Sequence, residues 1–211
     1  MHTISVSSED DYSYFDPRVC VIGLDQTGLL HAMAFSKKYK TMVFDWDGMH
    51  KNEITCRHKA ATQDRLIFTS EKKDICQCNF YVITLTSKYE RSSESAQHAL
   101  WDTCKLVGEV ISAGDIVVFD SCACFTTSER ECIPIIERAS GLTCNSDFFA
   151  GHNPGTPLFT ENEFSFWNAG KITSGSTPEI AKIVDEVYLN VFDIHILTTP
   201  SIGESEVSYV G

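Results

Sequence analysis

The chain has 211 residues, 43% hydrophobic and 22% charged, with a formal net charge of −12. That length holds one large domain with a real core, and the acidic balance excludes a nucleic-acid backbone or an anionic membrane as partner. No apolar stretch reaches the roughly 20 residues of a membrane span.

Residues 1–17 are polar and acidic (Glu9, Asp10, Asp11, Asp16) and lack a signal-peptide pattern. They read as a loosely ordered leader, first a solvated tail and second a site for a protein partner. The apolar run Val19-Cys20-Val21-Ile22 predicts a strand over 19–23, followed by Gly23-Leu24-Asp25-Gln26-Thr27-Gly28. This is the dinucleotide-binding fingerprint G-x-G-x-x-G with its middle glycine replaced. Gly23 keeps the tight turn and Gly28 keeps the close packing of helix on strand. Asp25 takes the position that lets backbone approach a pyrophosphate, and its carboxylate opposes the anion that a helix N-terminus attracts.

A helix is predicted over 27–39, ending among Lys37, Lys38 and Lys40. The next strand, 41–45, ends in Asp45, 22 residues after Gly23. An acid there holds the ribose hydroxyls of NAD and disfavours NADP; its bland reading is a strand terminus. The two halves of the motif conflict over the cofactor, since Asp45 favours NAD and Asp25 opposes any dinucleotide.

A polar helical stretch is expected from Asp47 to about Lys59, then a short strand at Leu66–Thr69 and a continuous apolar strand at Phe80–Leu85, the pattern of a strand covered on both faces. A helix over Ser95–Ile111 leads through Gly114-Asp115 into the strand Ile116–Phe119, and a further helix spans Thr127–Ala139. A short strand at Asp147–Ala150 precedes a polar, aromatic loop over 151–169 containing Pro154-Gly155-Thr156-Pro157. Then come a strand at Lys171–Ser174, a helix opened by Ser176-Thr177-Pro178-Glu179 and running to Leu189, and a last strand at Ile194–Thr198. Strands alternating with helices predict an α/β, Rossmann-like domain over 18–200, a mostly parallel sheet with helices on both faces.

The nine cysteines include Cys76-x-Cys78 and Cys122-x-Cys124 but no C-x-x-C pair. The spacing argues for no metal site, and several cysteines sit in apolar runs as small hydrophobes. An odd count without a secretion signal reads as reduced thiols in a cytoplasmic protein.

Taken together, the segments resemble the N-terminal, NAD-binding domain of the nucleotide-sugar 6-dehydrogenases, the UDP-glucose/GDP-mannose dehydrogenase family, in the flavour of the branch oxidising UDP-N-acetylhexosamines for bacterial surface polysaccharides. The carriers are Val21-Ile22-Gly23-Leu24, Phe44-Asp45, Cys78 to Thr84, Gly114 to Val118, Glu131-Cys132-Ile133-Pro134-Ile135, Ser140-Gly141-Leu142, Asp147-Phe148-Phe149 and Lys171 to Glu179, in the family's order over about residues 18–206. The resemblance implies a Rossmann fold, NAD as cofactor and a two-step oxidation of a sugar alcohol to a carboxylate through a cysteine thiohemiacetal.

The departures fall on functional positions. The family has glycine where Asp25 stands, and Val-Pro-Thr-Pro where this chain has Leu85-Thr86-Ser87-Lys88. Its Ser-Thr pair beside the nicotinamide is matched by Ser121-Cys122, and the following Pro-Gly by Phe125-Thr126. Its Ser-Pro-Glu-Arg segment, whose glutamate takes part in catalysis, is matched by Asn153-Pro154-Gly155-Thr156. Residues 201–211 resemble the start of the family's central helix, and the resemblance places the catalytic lysine, asparagine and cysteine beyond that point. No residue of this chain is therefore assigned a catalytic role; the cofactor-facing positions are Gly23, Asp25, Gly28, Asp45, Ser121 and Cys122. The expectation is a degenerate module acting by binding or assembly, against the alternative of an NAD-binding subunit completed by another chain. Cys122 and Cys124, at a strand's C-terminal end, read first as structural. His152 reads as a passive residue in a loop, and His31 and His195 as structural or surface residues.

Overall fold

The computed structural model describes residues 15–24, 26–46, 65–84, 94–120, 128–153, 171–192, 196–198 and 202. Eight strands form one sheet: β1 (Arg18–Ile22), β2 (Lys40–Phe44), β3 (Leu66–Thr69), β4 (Phe80–Ile83), β5 (Ile116–Asp120), β6 (Phe149–Asn153), β7 (Lys171–Gly175) and β8 (Ile196–Thr198). Their spatial order is β3-β2-β1-β4-β5-β6-β7-β8. The first six are parallel and follow the doubly wound 3-2-1-4-5-6 order, whose direction reverses between β1 and β4. β7 runs antiparallel to β6, and β8 is parallel to β7.

The helices are α1 (Gln26–Ser36), α2 (Lys72–Ile75), α3 (Glu94–Val110), α4 (Ile133–Ser140) and α5 (Pro178–Leu189). The apolar strands feed two cores because successive side chains point to opposite faces. Val19 and Val21 of β1, with Phe80 and Val82 of β4, pack beneath α1 and α5. Cys20 and Ile22, with Tyr81 and Ile83, pack beneath α3 and α4. An apolar residue at every position of β4 is thus the mark of a strand covered on both sides. In α5, Ile180, Val184, Val187 and Tyr188 are buried, each worth about 1.5–3 kcal/mol relative to exposure for the aliphatic members. Thr177 caps that helix, its side-chain oxygen accepting from Ile180 N at 3.3 Å, with Pro178 in the first turn.

Three readings from the sequence are corrected. The helix expected over 127–139 is α-helical only from Ile133, and Ser128–Cys132 is π-helical. Pro134 lacks the N–H that would continue a regular ladder from the preceding turn. The short strand lies at Phe149–Asn153 rather than 147–150, because its register is set by β5, from Ile116↔Phe149 to Asp120↔Asn153. Asp147 instead closes a turn, accepting from Thr143 N at 2.8 Å beside Asn145 with φ 64°. His152 is consequently not in a loop but inside β6, with 2% of its surface exposed.

The helix expected at 47–59 lies outside the described residues, as do residues 1–14 of the leader. Phe15 is described, and its ring lies 6.2 Å from that of Phe80. The Asp16 carbonyl accepts from Asn79 Nδ2 at 3.0 Å. No helix among the described residues is long and apolar enough to cross a membrane.

Candidate functional site

The carboxyl ends of β1, β4, β5 and β6 share one edge of the sheet, where open α/β sheets bind ligands. At the end of β1, Gly23 adopts φ 109°, a left-handed conformation that disfavours any side chain. Gly28, one turn into α1, sits against that bend. A Cβ on Gly28 would lie 1.8 Å from the Gly23 carbonyl oxygen and 2.7 Å from Thr84 Oγ1. The two outer glycines therefore do the framework work expected of them.

Thr84 joins the strands on either side of the switch point. Its N–H donates to the Ile22 carbonyl at 3.0 Å, and its hydroxyl lies 3.3 Å from the Ile22 carbonyl oxygen and 3.1 Å from that of Gly23. Asp45 follows β2 directly, and its N–H donates to Thr69 O at 3.1 Å. This puts a half-buried acid at the strand end where a ribose would lie. Trp46, next in sequence, is 51% exposed, edge-on to Phe44 with Lys72 Nζ 5.9 Å from its ring centroid. Asp45 thus stands where the fingerprint carries its acid, and Asp25 stands in the sequence where the fingerprint carries its middle glycine. Asp25, Ser121 and Cys122 themselves lie outside the described residues, as do Cys124, His195, Gly155 and Thr156.

The comparisons with known proteins bear on this framework. No protein-family model matches the chain. It is 33% identical over 202 residues to a UDP-N-acetyl-D-glucosamine 6-dehydrogenase of Salmonella typhi, spanning 92% of this chain and 48% of the relative. It is 31% identical over 204 residues to the enzyme of the same name from Pseudomonas aeruginosa, again covering 92% of this chain and 48% of the relative.

The chain is homologous to the nucleotide-sugar 6-dehydrogenases.

It spans about half the length of the curated dehydrogenases it matches. The fold likeness extends to the UDP-D-ManNAc dehydrogenase of Pyrococcus horikoshii, with a TM-score of 0.78 at 20% identity, over 92% of this chain and 49% of that one.

The sequence alone missed a buried polar cluster at the same sheet edge. Asp120, the last residue of β5, meets His31 of α1, Asn153 of β6 and Tyr188 of α5, and none of the four exposes more than 1% of its surface. His31 Nε2 lies 2.8 Å from Asp120 Oδ2. The Tyr188 hydroxyl donates to the same oxygen at 2.6 Å, and Asn153 Nδ2 at 3.2 Å. Burial, with the Asp120 charge beside it, pushes the Tyr188 phenol well above its usual range. His152, neighbouring Asp120 across β5 and β6, is pushed down to about 4 by burial, against the opposing pull of Asp120. A histidine amid Leu29, Leu30, Ala32, Met33, Ala34 and Phe35, and an aspartate ending four apolar residues, were the available signals. A charge in such a setting needs a partner.

Among the described residues, Cys20, Cys78, Cys104 and Cys132 are buried. Burial, reinforced by the neighbouring Cys78, raises the Cys20 thiol well above the usual thiol range, the setting of an inert structural cysteine. No group of three or more His, Cys, Asp or Glu among the described residues is placed to hold a metal.

Proposed function

We propose that this chain is a Rossmann-type module of nucleotide-sugar-dehydrogenase descent whose own dinucleotide site is disabled. It acts by binding or assembly, with a protein as partner, rather than by oxidising a sugar nucleotide itself. The observation that carries this reading is Asp25, set between two glycines that keep their packing roles. A carboxylate at the point of closest backbone approach to a pyrophosphate adds both bulk and like charge. Cys122 in place of the family's threonine, and Gly155-Thr156 in place of its Glu-Arg, support the same reading. No step of the family's reaction is assigned to this chain's residues.

A second reading has one specific observation in its favour. Asp45 stands at the ribose-binding end of β2, which suits an NAD-binding subunit of a UDP-sugar 6-dehydrogenase completed by another chain. Calorimetric titration of NAD into the wild type and Asp25→Gly separates the two. The first reading expects no measurable wild-type heat and a gain of binding in Asp25→Gly. Wild-type binding at micromolar concentrations overturns it in favour of the second.

A further inference from the structure

β3 leaves one side of the sheet open. Among the described residues it ends the strand order. Thr41 N donates to Arg65 O at 2.8 Å and Asp45 N to Thr69 O at 3.1 Å, so the odd-numbered residues along β3 turn their peptide groups to β2. Alternation along the strand points those of Leu66 and Phe68 outward, where they meet no partner among the described residues. A row of open N–H and C=O groups is a template for one more strand.

The side chains along this edge select what that strand is. Ile67, in the middle of β3, is 49% exposed. Arg18 of β1 stands in register with Lys40 of β2, and Arg65, one residue before the Thr41↔Leu66 pair, continues the row. All three are exposed, and like charges side by side on neighbouring strands cost stability. Lys38 joins them, its carbonyl accepting from Arg65 Nη1 at 2.7 Å. No carboxylate among the described residues lies within ion-pair distance of Lys38, Lys40 or Arg65. Residues 37–73 hold nine Lys and Arg against five Asp and Glu, whereas the rest of the chain holds eight against twenty-four.

Taking the chain as the binding module argued above, we propose that β3 is a docking edge for an extended acidic segment of a partner protein, which adds as a strand outside Leu66–Thr69 with a carboxylate beside Arg65 and an apolar side chain, two residues away, beside Ile67.

In strand addition the main chain supplies affinity and alternate side chains supply choice. An acid placed beside Arg65 ends the row of cations with its counter-charge, an arrangement that stabilises neighbouring strands. The remainder of the surface, strongly negative in balance, repels an acidic partner and so directs its approach to this edge. A second copy of the chain would bring one cationic edge against another, and charged edges turn such pairing away. Arg18, Lys40 and Arg65 lie at the amino ends of their strands, opposite the carboxyl ends that carry Gly23 and Asp45, so docking leaves the coenzyme side uncovered.

The test uses the full chain and the fluorescein-labelled peptide Glu-Thr-Val-Thr-Glu-Thr-Val-Thr, with binding read by fluorescence anisotropy. Arg65→Glu and Ile67→Asp should each weaken binding about tenfold or more, with the far-ultraviolet circular dichroism of the protein unchanged. Replacing Glu by Lys in the peptide should abolish binding. N-methylation of alternate peptide amides should abolish it in one phase and spare it in the other, since a strand pairs through one edge. Absence of binding at about 1 mM peptide, undiminished binding by Arg65→Glu, or equal tolerance of both N-methylated phases overturns the proposal. Binding seen only after Glu9→Gln, Asp10→Asn and Asp11→Asn are combined overturns it in favour of the chain's own leader. Self-association of the wild type that Ile67→Asp abolishes overturns it in favour of a second copy. The NAD titration described above is a separate reading: NAD binding by the wild type refutes the disabled coenzyme site and leaves the β3 edge standing, whereas failure of the peptide refutes the edge alone.

Discussion

The Tyr188 hydroxyl of α5 donates to the Asp120 carboxylate at the end of β5 across 2.6 Å, with both side chains shut off from solvent. The Tyr188 ring also packs edge-on to Phe35, with centroids 5.4 Å apart. Tyr188→Phe keeps that ring and removes only the donor. We expect a loss of about 1–3 kcal/mol, the range for depriving a buried polar group of one bond, read as a lower urea midpoint. An unchanged midpoint would show that the carboxylate is satisfied without the phenol.

Gly28 makes a contact that no rotamer can relieve. A methyl added there would meet the Gly23 carbonyl oxygen first, at 1.8 Å, and a backbone atom cannot swing aside. Gly28→Ala should destabilise by about 1–3 kcal/mol or more through overpacking. Adding Thr84→Ala should not rescue it, since the threonine oxygen is the more distant obstacle at 2.7 Å. Rescue by Thr84→Ala, measured by chemical denaturation, would contradict this ordering.

Two buried groups act on acid stability in opposite directions. Burial raises the Asp115 carboxyl from 3.8 to about 6, against the Ser112 N–H that donates to it at 2.8 Å. The folded state therefore holds that proton more tightly, and this contribution falls as the pH rises from about 4 to about 6. Burial lowers His152 from 6.5 to about 4, so its contribution falls as the pH drops through that window. The two offset one another in the wild type. Asp115→Asn should become more acid-sensitive between about pH 6.5 and 4, and His152→Asn less so. Urea midpoints at both ends of the window test this, and parallel shifts in both variants would refute it.

Trp46 supplies a reporter for the proposed loss of cofactor binding. Its ring is 51% exposed beside Asp45. In the Asp25→Gly background, NAD should alter the fluorescence of Trp46, and Trp46→Phe should remove that change. Asp45→Asn in the same background should weaken binding about tenfold, as loss of a charge-assisted hydrogen bond of about 1.5 kcal/mol or more would do. Undiminished binding in Asp45→Asn would mean that the acid does not face the ribose.

The framework was legible because it rests on local signals: the apolar runs of β1, β4 and β5, the glycines at 23 and 28, and the Thr177-Pro178 cap each announce themselves within a few residues. The start of α4 was less so, since a π-helical stretch arises where Pro134 meets a helix already under way, and periodicity does not separate the two. β6 was misplaced because Gly151, His152 and Asn153 look like loop residues. Only the pairing with β5 makes them strand. The Asp120 cluster was illegible for a deeper reason. Its members lie on four elements that meet only once the strand order is known, and a lone buried histidine or aspartate does not name its partner.

The contact between Gly28 and Gly23 bears on how such chains are recognised. Both residues answer to the fit of a helix against a bend in its own strand, whatever the turn meets from outside. A requirement that the domain fold retains them whether or not the turn carries a coenzyme. A search image built on the outer glycines reports architecture, then, and only the residue between them speaks of cargo.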